Sequence, residues 1–312
     1  MNETRRAILT ELDAGTVSGP DLAARLDVSR SAVWKHVEAL REAGFAIESD
    51  DDGYRLAGVP EFGGEAIEFG LDAPFDIEYH DAIPSTNDRA RELAGEGHAD
   101  VVVVADEQTG GRGRLEREWS SPSGGIWLSL VLRPNVPPTD APIFTLAAAV
   151  ATTRAAREAG VDASIKWPND VLVQTDDGDA KLAGILTEME GEADRISWLV
   201  VGIGINANVD TTGLPADVAA TSIREQVGDI DRRRFTQRLL EEFDSLRGDV
   251  DSVLPAWREY AATLGQRVRV DTADGEVIGE AVDVIAPGTL VVETETGQVQ
   301  VSAGDCEHLR SE

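Results

Sequence analysis

The hydrophobic period changes twice along this 312-residue sequence, and this change limits the possible folds more than any other feature. Residues 1–60 show a helical period followed by two short alternating runs. Residues 67–263 mix strand-like and helical segments, and residues 264–312 contain short alternating runs separated by turns. The sequence therefore predicts an α+β protein of three domains with these boundaries, because each pattern needs a core of its own.

The first segment has the pattern of a winged helix-turn-helix. One helix is predicted to begin near Pro20 and a second to run from the N-cap Ser29 to Gly44, followed by a hairpin that turns at Asp52-Gly53. Four side chains on the second helix are predicted to point outward and enter a DNA major groove: Arg30, Ser31, Trp34 and Lys35. The alternative is a three-helix packing module that binds nothing.

The middle segment predicts a mixed sheet with helices. Strand-like runs at 101–105, 126–132, 182–187 and 196–206 alternate with helical patterns at 86–94, 141–159 and 232–248. Because "QTDDGDAKLAGIL" reads as a hairpin, a strictly alternating α/β fold is not expected. From Leu264 onward, turns at Asp274-Gly275, Pro287-Gly288 and Thr296-Gly297 predict a small all-β barrel.

Charge and cysteine content narrow the class of protein. The chain has 58 acidic and 28 basic residues, a net charge of −30, and only three of the basic residues are lysines. This composition predicts a protein from a cytosol adapted to high salt, with most of its carboxylates exposed to solvent. Cys306 is the single cysteine, which excludes an internal disulfide and a zinc site of several thiolates. No apolar run is long enough for a bilayer, so a cytoplasmic protein without membrane contact is predicted.

The stretch "DEQTGGRGRLEREWSS" combines glycines and arginines in an otherwise acidic chain. It leads into a strand, so it is neither a dinucleotide fingerprint nor a P-loop. Its residues suit a reaction in which two anions, a carboxylate and a nucleotide phosphate, are brought together. Lys166 and Lys181 lie beside strands in the same segment, as expected of positions that require an ammonium group. The alternatives are a surface turn and two residual surface lysines.

Five motifs then occur in an order that resembles the biotin protein ligases. They are "STN" at 85–87, "DEQTGGRGR" at 106–114, "KWPND" at 166–170, "KLAGIL" at 181–186 and "GIGIN" at 202–206. The layout of the whole chain is similar to that of the bifunctional members of the family. The resemblance implies a winged helix, a central domain of the class II synthetase-like type and a C-terminal SH3-like β-barrel.

The resemblance also implies the reaction and its residues. Biotin and ATP with Mg²⁺ would give biotinyl-5′-AMP, and a lysine of a carboxylase biotin-carrier domain would then receive the biotinyl group. The residues expected to bind biotin are Ser85, Thr86, Asn87, Gln108, Arg112, Gly113, Arg114 and Lys181. The residues expected to bind ATP are Trp119, Lys166, Asn169 and Asn206. Catalysis is assigned to Lys181, Arg112, Arg114 and Asp170, with no metal ligand assigned firmly and magnesium expected near Asp170.

The bifunctional relatives imply a second role as a biotin-responsive repressor that binds operator DNA near biotin genes, as a homodimer when the adenylate is bound. Residues 1–60 carry 7 basic and 11 acidic residues, so base contacts would have to supply much of the affinity. Two alternatives remain open, a ligase-fold biotin sensor that acts only on transcription and a lipoate or octanoate transferase. One departure from the family pattern is Leu115-Glu116, which places an acidic residue in the anion-binding loop.

Overall fold

The computed structural model describes residues 1–213 and 219–309, apart from the side chain of Glu116. The first 58 residues form a small domain with its own core, in which Val33, Val37 and Leu40 are buried. Its elements are α1 (Glu3–Asp13), α2 (Gly19–Arg25), α3 (Arg30–Glu42), β1 (Ala46–Asp50) and β2 (Gly53–Gly58). Ser29 caps α3 by accepting a hydrogen bond from Ala32 N at 3.1 Å. The prediction of a helix-turn-helix followed by a β-hairpin is confirmed.

The central domain is built on a seven-stranded mixed sheet of order β3-β4-β5-β9-β8-β7-β6, in which β3 and β4 are parallel and the other pairs antiparallel. Its strands are β3 (Asp76–Ile83), β4 (Val101–Gln108), β5 (Ile126–Leu132), β6 (Ala163–Lys166), β7 (Asp170–Thr175), β8 (Gly178–Gly191) and β9 (Ile196–Ile205). Its helices are α4 (Gly64–Glu68), α5 (Thr86–Gly95), α6 (Pro142–Glu158), α7 (Ile223–Val227), α8 (Arg232–Gly248) and α9 (Val253–Tyr260).

Helices cover the two faces of this sheet unequally. The apolar helix α6, together with α8 and α9, packs on one face and forms the main core with residues such as Ile185 and Ile203. On the other face, a smaller cluster joins Ala90 and Leu93 of α5 to Val131 and neighbouring strand residues. Because side chains alternate along a strand, the face opposite Ile185 and Ile203 is presented by their sequence neighbours, which are mostly glycines.

The C-terminal domain is a five-stranded antiparallel sheet of order β13-β12-β11-β10-β14. Its strands are β10 (Arg267–Thr272), β11 (Gly275–Ile285), β12 (Thr289–Thr294), β13 (Gly297–Val301) and β14 (Asp305–His308). The predicted turns at Gly275, Gly288 and Gly297 separate successive strands, and each glycine has a positive φ. Up to residue 309, no pairing joins β13 to β14, so the sheet is not seen to close into the predicted barrel.

Contacts across the domain boundaries are specific. Phe45 of the N-terminal domain meets Phe69 edge to face, with ring centroids 6.2 Å apart. Trp167, a fully buried residue of the central domain, donates its indole N–H to Gly288 O of the C-terminal domain at 2.9 Å. Across the two described ranges, no helix is both long and apolar enough to cross a membrane.

Candidate active site

A cavity of about 430 Å³ opens on the glycine-lined face of the central sheet. Gly184 of β8 pairs with Gly204 of β9, and Leu186 pairs with Gly202. A Cβ atom at Gly204 would lie 2.7 Å from Trp119 Nε1, and one at Gly184 would lie 3.2 Å from the same indole ring. The alternation in "GIGIN" therefore places isoleucines in the core and leaves a bare backbone surface on which an aromatic ring can lie.

Three predicted biotin ligands form one wall of the cavity at the start of α5. Ser85 is the N-cap, and its Oγ accepts from Asp88 N at 3.2 Å. Thr86 donates both its backbone N–H and its hydroxyl to Gln108 Oε1, at 2.8 and 3.0 Å. Asn87 also lines the cavity. The positive end of the helix dipole and these polar groups together form a small donor-rich surface.

Two residues behind this wall were not identified from the sequence. Ser129, fully buried on β5, lies 2.6 Å from Asn87 Oδ1 and 2.8 Å from Thr86 Oγ1 through its hydroxyl oxygen. Glu188 of β8 accepts a hydrogen bond from Asn87 Nδ2 at 2.7 Å. A signal existed for Ser129, because it is the single polar residue within the apolar run "IWLSLVL" and a buried hydroxyl requires a partner.

The positive charge of the cavity centres on Lys181. Its Nζ lies 2.7 Å from Asp170 Oδ1, with both side chains about four-fifths buried, and 5.0 Å from the centre of the Trp119 ring. Lys181 and Trp119 are thus brought together as predicted from their motifs. The Trp119 indole N–H is buried and has no acceptor among the described residues. A buried donor without a partner suits a bound ligand that supplies an oxygen or nitrogen acceptor.

The glycine- and arginine-rich loop reaches across the cavity to other elements. Arg112 forms an ion pair with Asp88 of α5. Arg114 donates to Asn169 Oδ1 at 3.0 Å and to Gly304 O of the C-terminal domain at 2.9 Å. The C-terminal domain therefore closes one side of the cavity, which the sequence did not predict.

The neighbouring Arg117 also bonds to the C-terminal domain, at 2.5 Å from Asp305 Oδ2, and Asp305 lines the cavity. Gly113 lines the cavity as well, as expected. Leu115 is 73% exposed with a φ of 57°, which is an uncommon backbone conformation for leucine. The predicted effect of Glu116 lies outside the described residues, because its side chain is not described.

Two predicted ATP ligands make contacts that the sequence did not predict. Lys166 is not among the lining residues and lies close enough to Cys306 and His308 to influence both electrostatically. Asn206 does line the cavity, but its Nδ2 donates to Thr221 O at 3.1 Å and to Lys181 O at 3.4 Å. This amide therefore holds the backbone beside Lys181, and only its Oδ1 remains for a ligand.

A buried arginine supports the start of the loop from behind. Arg232 of α8 donates to Asp106 Oδ1 at 2.7 Å and to Gly125 O at 3.1 Å, and its guanidinium carbon lies 4.3 Å from the centre of the Phe62 ring. Burial alone would raise the pKa of Asp106, but hydrogen bonds from Ser123 and Arg232 outweigh it and hold that pKa below its usual value. Asp106 is therefore a permanent anion at the base of the loop.

Residues predicted to contact DNA share one surface of α3. Arg30, Ser31, Trp34 and Lys35 are all exposed, and Trp34 is 56% exposed despite its size. Elsewhere, within the parts of the chain that are described, no group of three or more histidine, cysteine, aspartate or glutamate side chains could hold a metal ion. Asp170 and Asp305 both line the cavity, but neither belongs to such a group.

Together, the fold and the cavity define a class of protein: a sheet-based enzyme domain that binds small anionic molecules, attached to a helix-turn-helix domain. Comparison with known proteins gives the family. Residues 4–55 match an HTH domain, residues 79–206 match the biotin/lipoate A/B protein ligase family, and residues 263–309 match the biotin protein ligase C-terminal domain.

Full-length relatives agree with these matches. The chain is 38% identical, over 98% of its length and 99% of the relative's, to the bifunctional ligase/repressor BirA of Bacillus subtilis. It is 33% identical to the biotin--[acetyl-CoA-carboxylase] ligase of Mycobacterium tuberculosis over 71% of this chain and 84% of that protein.

A solved structure of biotin protein ligase from Aquifex aeolicus, in complex with biotin and ATP, covers 75% of this chain and 99% of its own, with a TM-score of 0.63 and 28% identity. The chain belongs to the biotin protein ligase family, as the five motifs predicted, and it carries the N-terminal helix-turn-helix of the bifunctional members.

Proposed function

We propose that this protein joins biotin to ATP, forming biotinyl-5′-AMP and pyrophosphate, and then transfers the biotinyl group to a lysine of the biotin-carrier domain of an acyl-CoA carboxylase. The observation that carries the proposal is the ion pair of Lys181 with Asp170 beneath Trp119, in a cavity edged by Arg112 and Arg114. The relatives named above are biotin ligases, which favours biotin over lipoate or octanoate as the substrate.

The chemistry requires charge neutralisation more than a side-chain nucleophile. A biotin carboxylate oxygen attacks the α-phosphorus of ATP, the new O–P bond forms, and the bond to the β-phosphate oxygen breaks with release of pyrophosphate. Lys181 and the two loop arginines would offset the negative charge of the approaching groups. In the second step the neutral amine of the carrier lysine attacks the acyl carbon, the bond from that carbon to the AMP oxygen breaks, and one amine proton passes to solvent. Asp170 would orient the incoming lysine.

The other predicted residues take binding roles in this proposal. Ser85, Thr86, Asn87 and Gln108 hold the biotin ring, and Gly113 allows the loop backbone to approach the ligand. Trp119 stacks near adenine, with Asn169 and Asn206 beside the nucleotide. Mg²⁺ arrives with ATP, since this ion is usually held by one or two carboxylates together with substrate phosphates. Asp170 is the residue that would contact it, and Lys166 has no support from the geometry.

The test is transfer to a carrier in about 1 M KCl, where the Debye length is about 3 Å. The full chain is incubated with biotin, MgATP and a carrier domain, and the carrier is weighed by mass spectrometry. We expect one added biotinyl group, and a rate lower by about 10²- to 10³-fold for Lys181→Ala. Arg234→Ala, an exposed position away from the cavity, is the control. No added mass, with biotin still bound, would favour the sensor that acts only on transcription.

A second role as a biotin-responsive repressor is supported by the exposed face of α3 and by the bifunctional relatives. We infer that the protein binds operator DNA as a homodimer in the adenylate-bound state, with Arg30, Ser31, Trp34 and Lys35 in the groove. The test is a fluorescence titration of labelled upstream DNA, with and without the adenylate. Absence of binding at every salt concentration would contradict this role.

The proposal also includes the salt-adapted origin of the protein and the fold types of its central and C-terminal domains. The excess of carboxylates and the scarcity of lysine support a salt-adapted cytosol. A class II synthetase-like ancestry of the central domain and an SH3-like curl of the C-terminal sheet are inferred from the family resemblance. A refolding comparison in low and high KCl tests the first of these, because the inference requires greater stability at high salt.

A further inference from the structure

Behind the wall formed by Thr86 and Asn87 lies a chain of hydrogen bonds that does not itself reach the cavity. Ser129 and Glu188 are both absent from the cavity lining, yet each bonds to Asn87. Ser129 is fully buried, and Glu188 also accepts from Arg91 at 3.2 Å. Ser129 and Glu188 therefore both bond to the amide group of Asn87, one at its oxygen and the other at its nitrogen.

We propose that Ser129 and Glu188 are positioning residues that fix which end of the Asn87 amide faces biotin. This inference rests on the proposed function. A carboxylate accepts hydrogen bonds only, so the Asn87 Nδ2 group must face Glu188. Asn87 Oδ1 faces the Ser129 hydroxyl and lies against the backbone at Gly202, where a Cβ atom would collide with it. The hydrogen that remains for a ligand is the second N–H of Nδ2.

The amide of Gln108 is fixed in the same sense. Its Oε1 accepts two hydrogen bonds from Thr86, and its Nε2 donates to Ser121 Oγ at 2.9 Å. Its uncommitted hydrogen is again on nitrogen. Both amides therefore offer N–H groups, and the matching ligand group is an oxygen acceptor such as the carbonyl of the biotin ring. A cationic group with only N–H donors would leave these amides unpaired, and such a mismatch strongly disfavours binding.

The structure supplies matched variants for a test. Glu188→Met removes the acceptor that holds Nδ2, whereas Glu188→Gln keeps an acceptor oxygen at the same distance along the side chain. Arg91→Ala removes the other partner of Glu188 and leaves its bond to Asn87. Ser129→Ala removes the donor to Oδ1. Thr153→Val is the control for loss of a buried hydroxyl, because within the described residues the Thr153 hydroxyl bonds only to Ala149 O of its own helix.

The experiment measures dissociation constants of the full chain for biotin and for its guanidino analogue, in which a protonated imino group replaces the ring carbonyl, by titration calorimetry. In Glu188→Met the Asn87 amide is free to turn its oxygen toward the ligand, because the Ser129 hydroxyl can accept from Nδ2 as well as donate to Oδ1. In Ser129→Ala, Oδ1 loses its donor while Glu188 still holds Nδ2. We expect biotin to bind about tenfold more weakly in Glu188→Met while the analogue does not weaken, so that discrimination between the two falls about tenfold. In Ser129→Ala we expect a smaller fall in discrimination, because Glu188 still holds Nδ2.

Glu188→Gln, Arg91→Ala and Thr153→Val should keep the discrimination of the unaltered chain. Unchanged discrimination in Glu188→Met and Ser129→Ala, with biotin still bound and thermal melting merely lowered, would overturn the positioning role and leave the ligase proposal standing. If the unaltered chain binds biotin but transfers none, the ligase proposal is contradicted. The binding measurements on the variants would still decide the positioning role in that case.

Discussion

Arg232 offers the sharpest test of how the fold supports the loop. The change Arg232→Met keeps an unbranched stem beside Phe62 but removes the guanidinium that bonds to Asp106, Gly125 O and Glu61. Breaking a fully buried ion pair costs about 3–5 kcal/mol, because the remaining charge is left without a partner. Asp106 is 23% exposed and keeps its bond from Ser123, so about 2–3 kcal/mol is expected here.

At about 2–4 °C per kcal/mol for a domain of this size, the melting temperature of the central domain should fall by about 4–12 °C. The KM for biotin should also rise, since Asp106 begins the segment that carries Gln108 and the loop. The assay is a thermal melt followed by near-UV circular dichroism, with steady-state kinetics alongside. The matched control is Arg234→Met two residues later, whose side chain is 77% exposed and lies 3.4 Å from Asp231.

That control should change stability by less than about 0.5 kcal/mol. Adding Asp106→Asn to Arg232→Met should restore part of the lost stability, because the second change removes the unpaired carboxylate. Equal melting temperatures for Arg232→Met and Arg234→Met would refute the reasoning, as would a double variant that is less stable than the sum of the single changes.

Three further predictions concern single sites. Burial and the nearby Lys166 lower the pKa of His308 below its usual 6.5, so the unfolded chain takes up the proton first and stability should fall as pH drops below about 6.5; urea unfolding at several pH values should show this slope, and His308→Gln should remove it. Burial raises the pKa of the Cys306 thiol to about 11, so iodoacetamide at neutral pH should label it only after unfolding, and rapid labelling of the native chain would contradict this. Gly204→Ala should displace the Trp119 ring and raise the KM for ATP more than the KM for biotin, which kinetics with each substrate varied will show.

Local patterns in the sequence were sufficient for much of the fold. Helix α8 and strand β5 have the predicted bounds. Each is an uninterrupted stretch of one pattern, helical in α8 and continuously apolar in β5, with clear turns on both sides. Strand β3 was missed because "DIEYHDAI" lies at the sheet edge, where most of its side chains are only partly buried and no clean alternation results. Strand β6 was missed because it has only four residues and Pro168 follows it closely.

Most residues assigned to the site from the motifs line the cavity, but several of their contacts were not predicted. The motifs brought Lys181, Asp170 and Trp119 together, since all three follow from short-range patterns on neighbouring strands and the loop. The partners of Arg114 were not predictable, because Gly304 is 190 positions away and nothing in its local sequence marks it as an acceptor. Lys166, assigned to ATP from its motif, is not among the residues that line the cavity, and its role stays a prediction.

The distribution of ion pairs around the cavity has a consequence for work at high salt. The Arg117–Asp305 pair, with side chains 65% and 40% exposed, is open to screening, whereas the Lys181–Asp170 pair is about four-fifths buried and screened much less. The hydrogen bond of Arg114 to Gly304 O has an uncharged acceptor, so it depends less on ionic strength than the exposed ion pair does. At molar salt the loop would therefore be held to the C-terminal domain mainly through Arg114. Salt therefore weakens the exposed Arg117–Asp305 pair at the edge of the cavity more than the buried Lys181–Asp170 pair at its centre.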